Sequence, residues 1–312
     1  MKRSLLIGAL LLISSTICAA DGGGTYSFLR NDVSARAAAL NGSFVSMTND
    51  PNMLFYNPAA LSTLSGRTAS AGFFKHLLDV NGGHLTYAQQ LPGVGTVGAG
   101  LIFLDYGSFT ETDESLNTLG TFGATDLAFV VGVGRALDAV TSVGVNAKVI
   151  YSSIAGSRST ALALDAGILY EIPSQNITLG ASVLSLGTQL SSYMQTREAL
   201  PLDVKIGITK RPEHLPVLLN LDFHKLNEPQ DNFFQRFSSF SLGAEFLMSE
   251  SVRLRVGYSN EQRKELKLGT SSGLAGFSLG GGIILGDYIV DYAYNSYGSI
   301  GGLHRISIGM HL

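Results

Sequence analysis

Residues 142–151 read "SVGVNAKVIY", and the fold turns on how they alternate. Val143, Val145, Ala147, Val149 and Tyr151 fall on one side; Gly144, Asn146 and Lys148 fall on the other. A period of two is strand geometry, because successive side chains point to opposite faces of a sheet. The pattern recurs down the chain. "LDVKIGIT" (202–209) sets Leu202, Val204, Ile206 and Ile208 against Asp203, Lys205, Gly207 and Thr209. "VLLNLDFH" (217–224), "SVRLRVGYS" (251–259) and "DYIVDYAYN" (287–295) divide in the same way.

About fourteen such segments begin near residues 67, 83, 95, 123, 140, 160, 176, 202, 215, 238, 250, 274, 287 and 303. Most have the length, about 9–12 residues, that a tilted strand needs to cross a bilayer. The even-numbered connections are short and rich in turn formers: "PGVG", "LDAV", "PSQN", "RPEHL", "MSES" and "LGD". The odd-numbered connections are longer, including those near 106–122, 188–201, 226–238 and 260–273. Short turns alternating with long loops are the rhythm of a membrane barrel. The reading is an all-β fold, a transmembrane antiparallel β-barrel of about fourteen strands over residues 67–312. Its last strand, "LHRISIGMHL" (303–312), lines up Ile306, Ile308, Met310 and Leu312 on one face.

Composition agrees. Only 14% of the 312 residues are charged, against about 25% in soluble domains. The net charge of −3 argues against a nucleic-acid partner. Past the N-terminus no apolar run approaches the ~18 residues of a membrane helix, which leaves the barrel as the spanning structure. Residues 1–20 have the layout of a signal peptide: Lys2 and Arg3, an apolar run from Leu5 to Ile13, then small residues up to Ala20. Cleavage after Ala20 implies the outer membrane of a Gram-negative bacterium and a mature chain without cysteine. The rival, a lipoprotein signal using Cys18, fits poorly with Ile17 and Ser15.

The outward face suits lipid. Tyr106, Tyr151, Tyr170 and Tyr258 lie near strand ends, as interfacial girdle or as packing residues. Parity assigns Lys148, Asp165, Asp203, Lys205, Asp222, Glu245, Arg253, Arg255, Asp291 and Arg305 to the lumen. Five acids and five bases in a confined space should form ion pairs and close the barrel to wide aqueous flow. The six His lack metal-ligand spacing, and no "GxSxG" elbow occurs. The Gly-rich runs at 93–100 and 280–284 read as small residues facing a crowded lumen. No enzyme, cofactor or metal is expected.

Residues 21–66 do not alternate. "SARAAAL" (34–40) is a short helix candidate with Ser34 as its cap, followed by a turn at Asn41-Gly42. In "NDPNMLFYNPAAL" (49–61), Asp50-Pro51 and Asn57-Pro58 push the residue before each proline out of the helical region. The enclosed Met53, Leu54, Phe55 and Tyr56 need burial. The segment is either a plug in the lumen or a tail outside it.

"GTYSFL" (24–29), "SARAAALNGSFVS" (34–46) and "NPAAL" (57–61), ahead of a fourteen-strand barrel, resemble the PorQ/PorV outer-membrane proteins of the type IX secretion system, a branch of the FadL-like barrel superfamily. The opening "TYSFL" and the chain length favour the PorQ side. Ser34, Ala35, Arg36, Asp50, Asn57, Pro58 and Ala59 carry the motif; Asn41 departs from it, standing where Gly is usual. The resemblance implies a non-enzymatic barrel that docks or anchors the cell-surface attachment machinery for secreted cargo. The implied partners are PorZ-like, PorU-like and PorV-like proteins, besides outer-membrane lipid. Phe233, Phe234 and Phe237, in "LNEPQDNFFQRFS" (226–238), are the candidate partner surface or a cap over the barrel mouth. The alternative function is FadL-like passive transport of long-chain hydrophobic compounds, for which "NMLFYNPAAL" would line a pocket rather than seal it. A purely structural barrel is the third reading.

Overall fold

The computed structural model describes residues 25–75, 80–115, 117–193, 197–230, 232–266 and 273–312. The signal peptide assigned to residues 1–20, its cleavage point and residues 21–24 lie outside these. The strands are β1 (Arg67–Lys75), β2 (Asn81–Leu91), β3 (Gly95–Thr112), β4 (Thr118–Ala136), β5 (Thr141–Ile154), β6 (Ser157–Ile172) and β7 (Ile177–Ser191). They continue as β8 (Asp203–Lys210), β9 (Val217–Phe223), β10 (Phe240–Leu247), β11 (Val252–Ser259), β12 (Phe277–Leu285), β13 (Tyr288–Ser296) and β14 (Gly302–His311). Each pairs with its neighbours in sequence, and β1 pairs antiparallel with β14, so a fourteen-strand barrel closes. No helix is long and apolar enough to cross a membrane among the described residues.

The alternation sets which face each residue takes. Along β5, Ser142, Asn146, Lys148, Ile150 and Ser152 are buried inside, while Val145 and Val149 stand 55% and 53% exposed on the outer wall. All six short connections sit at one end of the barrel, here the turn end; the opposite end is the loop end.

The loop end departs from the sequence reading in two places. β3 and β4 run on through most of residues 106–122, leaving only Asp113–Asn117 to join them. Threonine and aromatic side chains in "SFTET" and "TLGTF" suit an extended hairpin, and Asp113 closes the turn by accepting from the Ser115 and Asn117 amides. Tyr106 packs inside the barrel, and a register slip between Asp105 and Ser108, with Gly107 at φ 76°, shifts the inward parity from even to odd residues so that Phe109 joins it. Tyr106 is therefore not a girdle residue. β5 and β6 meet in a two-residue turn, Ala155-Gly156, with φ of 47° and 79°. Such a left-handed pair fits the twist of a tight hairpin, so the short-long rhythm fails here, as it does at the shortened β3–β4 connection.

The wall is uneven. β3 to β7 run 14 to 19 residues and β8 to β13 only 7 to 9. At ~3.3 Å per residue the 19 residues of β4 extend about 60 Å, twice a ~30 Å hydrocarbon core. The loop-end portions of β3 to β6 thus rise above the short-stranded side of the wall.

The N-terminal segment lies inside the barrel. It starts at the loop end, where the Tyr26 hydroxyl meets Ser159 and Arg30 donates to the Leu202 carbonyl at 2.9 Å. Helix α1 (Ala35–Ala39) follows, capped by Ser34, whose hydroxyl accepts from the Ala37 amide. Asn41 takes the left-handed conformation at φ 49°, so Asn serves the turn that Gly usually makes. Two 3-10 turns, Pro51–Phe55 and Pro58–Thr63, are capped by the Asp50 and Asn57 side chains. Met53, Leu54, Phe55 and Tyr56 are all buried, and they belong to the main apolar cluster of the molecule.

Candidate functional site

The lumen is shaped to the segment by glycine. A Cβ at Gly100 would lie 2.6 Å from the Phe55 ring, and one at Gly134 would lie 2.5 Å from the Pro58 carbonyl oxygen. Gly98 faces Leu54 and Leu61, Gly167 faces Asn57, and Gly180 faces Val45; Gly243 faces Leu40 and Gly280 faces Ala39. These positions lie on six different strands around the barrel. Contacts under 3 Å leave no room for a side chain, so the absence of Cβ lets the segment pack on the wall itself. Of the Gly-rich runs at 93–100 and 280–284, Gly98, Gly100 and Gly280 belong to this lining, whereas Gly93 has nothing within 4 Å and Gly281 lies next to Leu254 of the outer wall.

Polar side chains fix the segment's path. The Asn57 amide donates to the Val45 carbonyl at 2.9 Å and the Ile168 carbonyl at 3.0 Å. Arg36 forks onto Glu245 at 2.9 and 3.0 Å and reaches Asp50 at 3.3 Å. Arg255 bridges Glu245 and Asp291, both at 2.6 Å. This network borders a turn-end cavity of about 370 Å³. Ser34 and Ala35 are buried in α1's approach to β14, where the Ala35 amide faces the Ser307 hydroxyl at 3.3 Å; Pro58 and Ala59 open the second 3-10 turn.

Of the ten charges assigned to the lumen, seven make ion pairs: Lys148 with Asp165 (3.0 Å), Lys205 with Asp203 (3.2 Å), and Glu245, Arg255 and Asp291 in the Arg36 network. Three depart from that expectation. Asp222 instead accepts from the Phe44 and Val45 amides at 2.6 and 2.7 Å, because the segment turns its backbone donors toward it. Arg305 donates to Asn295 at 2.8 Å and lies over the Phe74 ring. Arg253, one residue into β11, sits at the turn-end rim and donates to the Ser249 and Val252 carbonyls.

Phe233, Phe234 and Phe237 lie on a 3-10 turn, Phe233–Ser238, between β9 and β10. Phe233 is 68% and Phe234 84% exposed, while Phe237 packs edge-on against Phe223 at 5.3 Å. Phe223, Phe240, Tyr258 and Phe277 then form a contiguous row on the outer wall at the loop end. The three Phe residues extend this row rather than capping the lumen. Aromatic rows of this kind are the material of interfacial belts in membrane barrels.

A loop-end cavity of about 510 Å³ was not foreseen from sequence. Tyr106, Phe109, Phe122 and Tyr193 supply its aromatic walls, with Asp126, Ser152 and Glu198 as its polar groups. Phe109 and Phe122 stack at 5.4 Å across the raised β3–β4 hairpin. Tyr106 donates to Asp126 at 2.7 Å, Ser152 also donates to Asp126, and Tyr193 donates to Ser152. The bulge at Gly107 creates this arrangement by bringing Phe109 onto the same inner face as Tyr106.

No family model matches the sequence, and no curated protein matches it. Solved structures do. The Ralstonia pickettii toluene transporter TbuX aligns over 89% of this chain and 96% of its own, with TM-score 0.60 and 11% identity. The Pseudomonas putida toluene transporter TodX aligns over 89% and 96%, with TM-score 0.58 and 15% identity. A Pseudomonas aeruginosa FadL homologue aligns over 90% and 98%, with TM-score 0.54 and 10% identity. The fold is therefore that of the FadL-like barrels over nearly the full length of both partners.

Proposed function

We propose that this chain is an outer-membrane channel of FadL-like architecture that passively admits small hydrophobic compounds, with the loop-end cavity as their first binding site. The observation that carries this reading is the aromatic-walled cavity of about 510 Å³, set on the raised β3–β4 wall of a barrel whose fold matches hydrocarbon transporters along its length. Its volume lies in the range of small-molecule sites, about 300–1,000 Å³. The role is binding and passage, with no chemical step. The test is uptake of radiolabelled toluene by intact Gram-negative cells expressing the chain. Uptake should exceed that of vector controls and fall in a Phe109→Ala/Phe122→Ala variant; equal rates in all three would reject it.

A second reading is favoured by a separate observation. The N-terminal segment meets the glycine lining at backbone distance, which suits a barrel acting as a closed anchor. In that reading the chain is a PorQ-like component of the type IX secretion system, docking PorZ-like, PorU-like or PorV-like proteins, with Phe233 and Phe234 at the membrane-proximal edge of the contact. Affinity purification from native outer membranes distinguishes the two. Recovery of such partners, lost on Phe233→Ser/Phe234→Ser, supports anchoring; their absence leaves transport.

A further inference from the structure

The loop-end cavity is aromatic, but it is not electrically neutral. Asp126 is 8% exposed and faces it from β4, and Glu198 faces it from the β7–β8 connection. Hydroxyls of Tyr106 and Ser152 hydrogen-bond Asp126, and Thr25 hydrogen-bonds Glu198 through its amide at 3.1 Å and its hydroxyl. These contacts orient the carboxylates without neutralising them. No Lys or Arg lines the cavity among the described residues. The guanidinium groups nearest in sequence lie outside the lining: Arg197, exposed beside Glu198, Arg30, which pairs with Glu228 at 3.1 Å, and Arg158, exposed on β6.

The wall around the cavity extends the same imbalance. From residue 76 to residue 134 the sequence holds no Lys or Arg. The raised β3–β4 hairpin instead carries Asp105, Glu111, Asp113 and Glu114. Among the basic residues of the loop end, Lys225 pairs with Glu261 and Arg263 lies over Phe277 near the short strands, while Lys75 ends β1 and Arg158 opens β6 on either side of the hairpin. The raised part of the β3–β4 hairpin is thus acidic and carries no basic residue of its own.

We propose that the cavity selects organic cations with an apolar or aromatic body, and disfavours compounds headed by a carboxylate. The inference rests on the reading of this cavity as a ligand site. Ring faces attract a cation through their quadrupole. Two uncompensated carboxylates add a Coulomb term that strengthens where water is excluded. The acidic hairpin raises the local concentration of cations before they enter. For a carboxylate ligand the electrostatic terms reverse sign, while the apolar contacts stay the same.

The test uses the full barrel in detergent and three probes with a shared phenylalkyl body: 2-phenylethylammonium, 2-phenylethanol and 3-phenylpropanoate. Binding is read by equilibrium dialysis and by saturation-transfer NMR. The ammonium should bind about tenfold or more tighter than the alcohol, and the carboxylate should bind weakest. That preference should shrink at high salt, in Glu198→Gln and in Asp126→Asn. If Asp126→Asn fails to fold, Glu198→Gln and the salt titration still decide. Equal affinity for ammonium and alcohol overturns the charge selectivity but leaves the hydrophobic site standing. Tightest binding of the carboxylate also overturns it. Binding of none of the three overturns both the selectivity and the site.

Discussion

Replacing Asn57 by alanine should free the inner segment while leaving the barrel wall intact. The residue is fully buried and makes three hydrogen bonds. Its oxygen accepts from the Ala59 amide at 3.1 Å and caps the Pro58–Thr63 turn; its amide donates to two carbonyls, one on the segment at Val45 and one on the wall at Ile168. Loss of a cap costs about 1 kcal/mol. A donor taken from each buried carbonyl costs roughly 1 kcal/mol more. The sum is about 2–4 kcal/mol, which multiplies the detached population by about 30- to 900-fold. Hydrogen exchange read by mass spectrometry on the detergent-solubilised chain measures this directly. Peptides covering 44–64 should exchange faster by about that factor, while strand peptides keep their protection. Asn232→Ala is the control, since Asn232 makes no side-chain cap bond on its exposed loop. The reasoning fails if exchange in 44–64 is unchanged. It also fails if the strands lose protection in step with the segment, because the two would then be one cooperative unit.

The other predictions use the same molecule. Gly134→Ala should push the segment off the wall by about 1 Å, because its Cβ would sit 2.5 Å from the Pro58 oxygen, and should cost about 1–3 kcal/mol; Gly120→Ala, on the same strand with nothing within 4 Å, should be silent in thermal unfolding. Arg36→Met removes the cation shared by Glu245 and Asp50. Glu245 keeps Arg255, so the loss should stop at about 2–3 kcal/mol and appear as added current through planar bilayers. His224, just beyond β9, has its imidazole pushed down to about 4 by burial, with nearby Lys205 acting the same way. The neutral ring is thus the form that fits, and its stabilisation is complete above the ordinary histidine value and lost as pH falls from about 6.5 toward that lowered value. Amide exchange over 224–228 should rise within this window, and a flat profile would contradict it.

The strand count and all six tight turns were legible because both rest on local signals, period-two alternation and turn chemistry. The Ser34, Asp50 and Asn57 caps were legible for the same reason: an Asx or Ser side chain acts on amides two or three residues away. What escaped depends on long-range register. The slip at Asp105–Ser108 reverses parity within β3, so a count carried on from the start of the strand puts Phe109 on the wrong face. Asp222 looked like half of an ion pair, but its partners are amides of Phe44 and Val45, nearly 180 residues away in sequence. The loop-end cavity escaped because its walls come from the N-terminus, β3, β4, β5 and the β7–β8 connection. One signal for its character was present: a long stretch with carboxylates and no Lys or Arg.

The glycine lining also constrains the order of assembly. The segment runs from the loop end, at Tyr26, to the turn end, where it continues into β1 at Arg67. Its turns bulge sideways into glycine sites on strands all around the barrel. A finished cylinder with that fit offers no path for threading such a shape lengthwise. The strands must therefore gather around a segment already in place, and the β1–β14 seam should be the last ladder to form. Cysteine pairs across that seam, at the facing positions Ala71 and Ile308, would time the closure. In pulse-labelled assembly they should cross-link only after 44–64 has gained exchange protection, and the reverse order would show that the wall closes first.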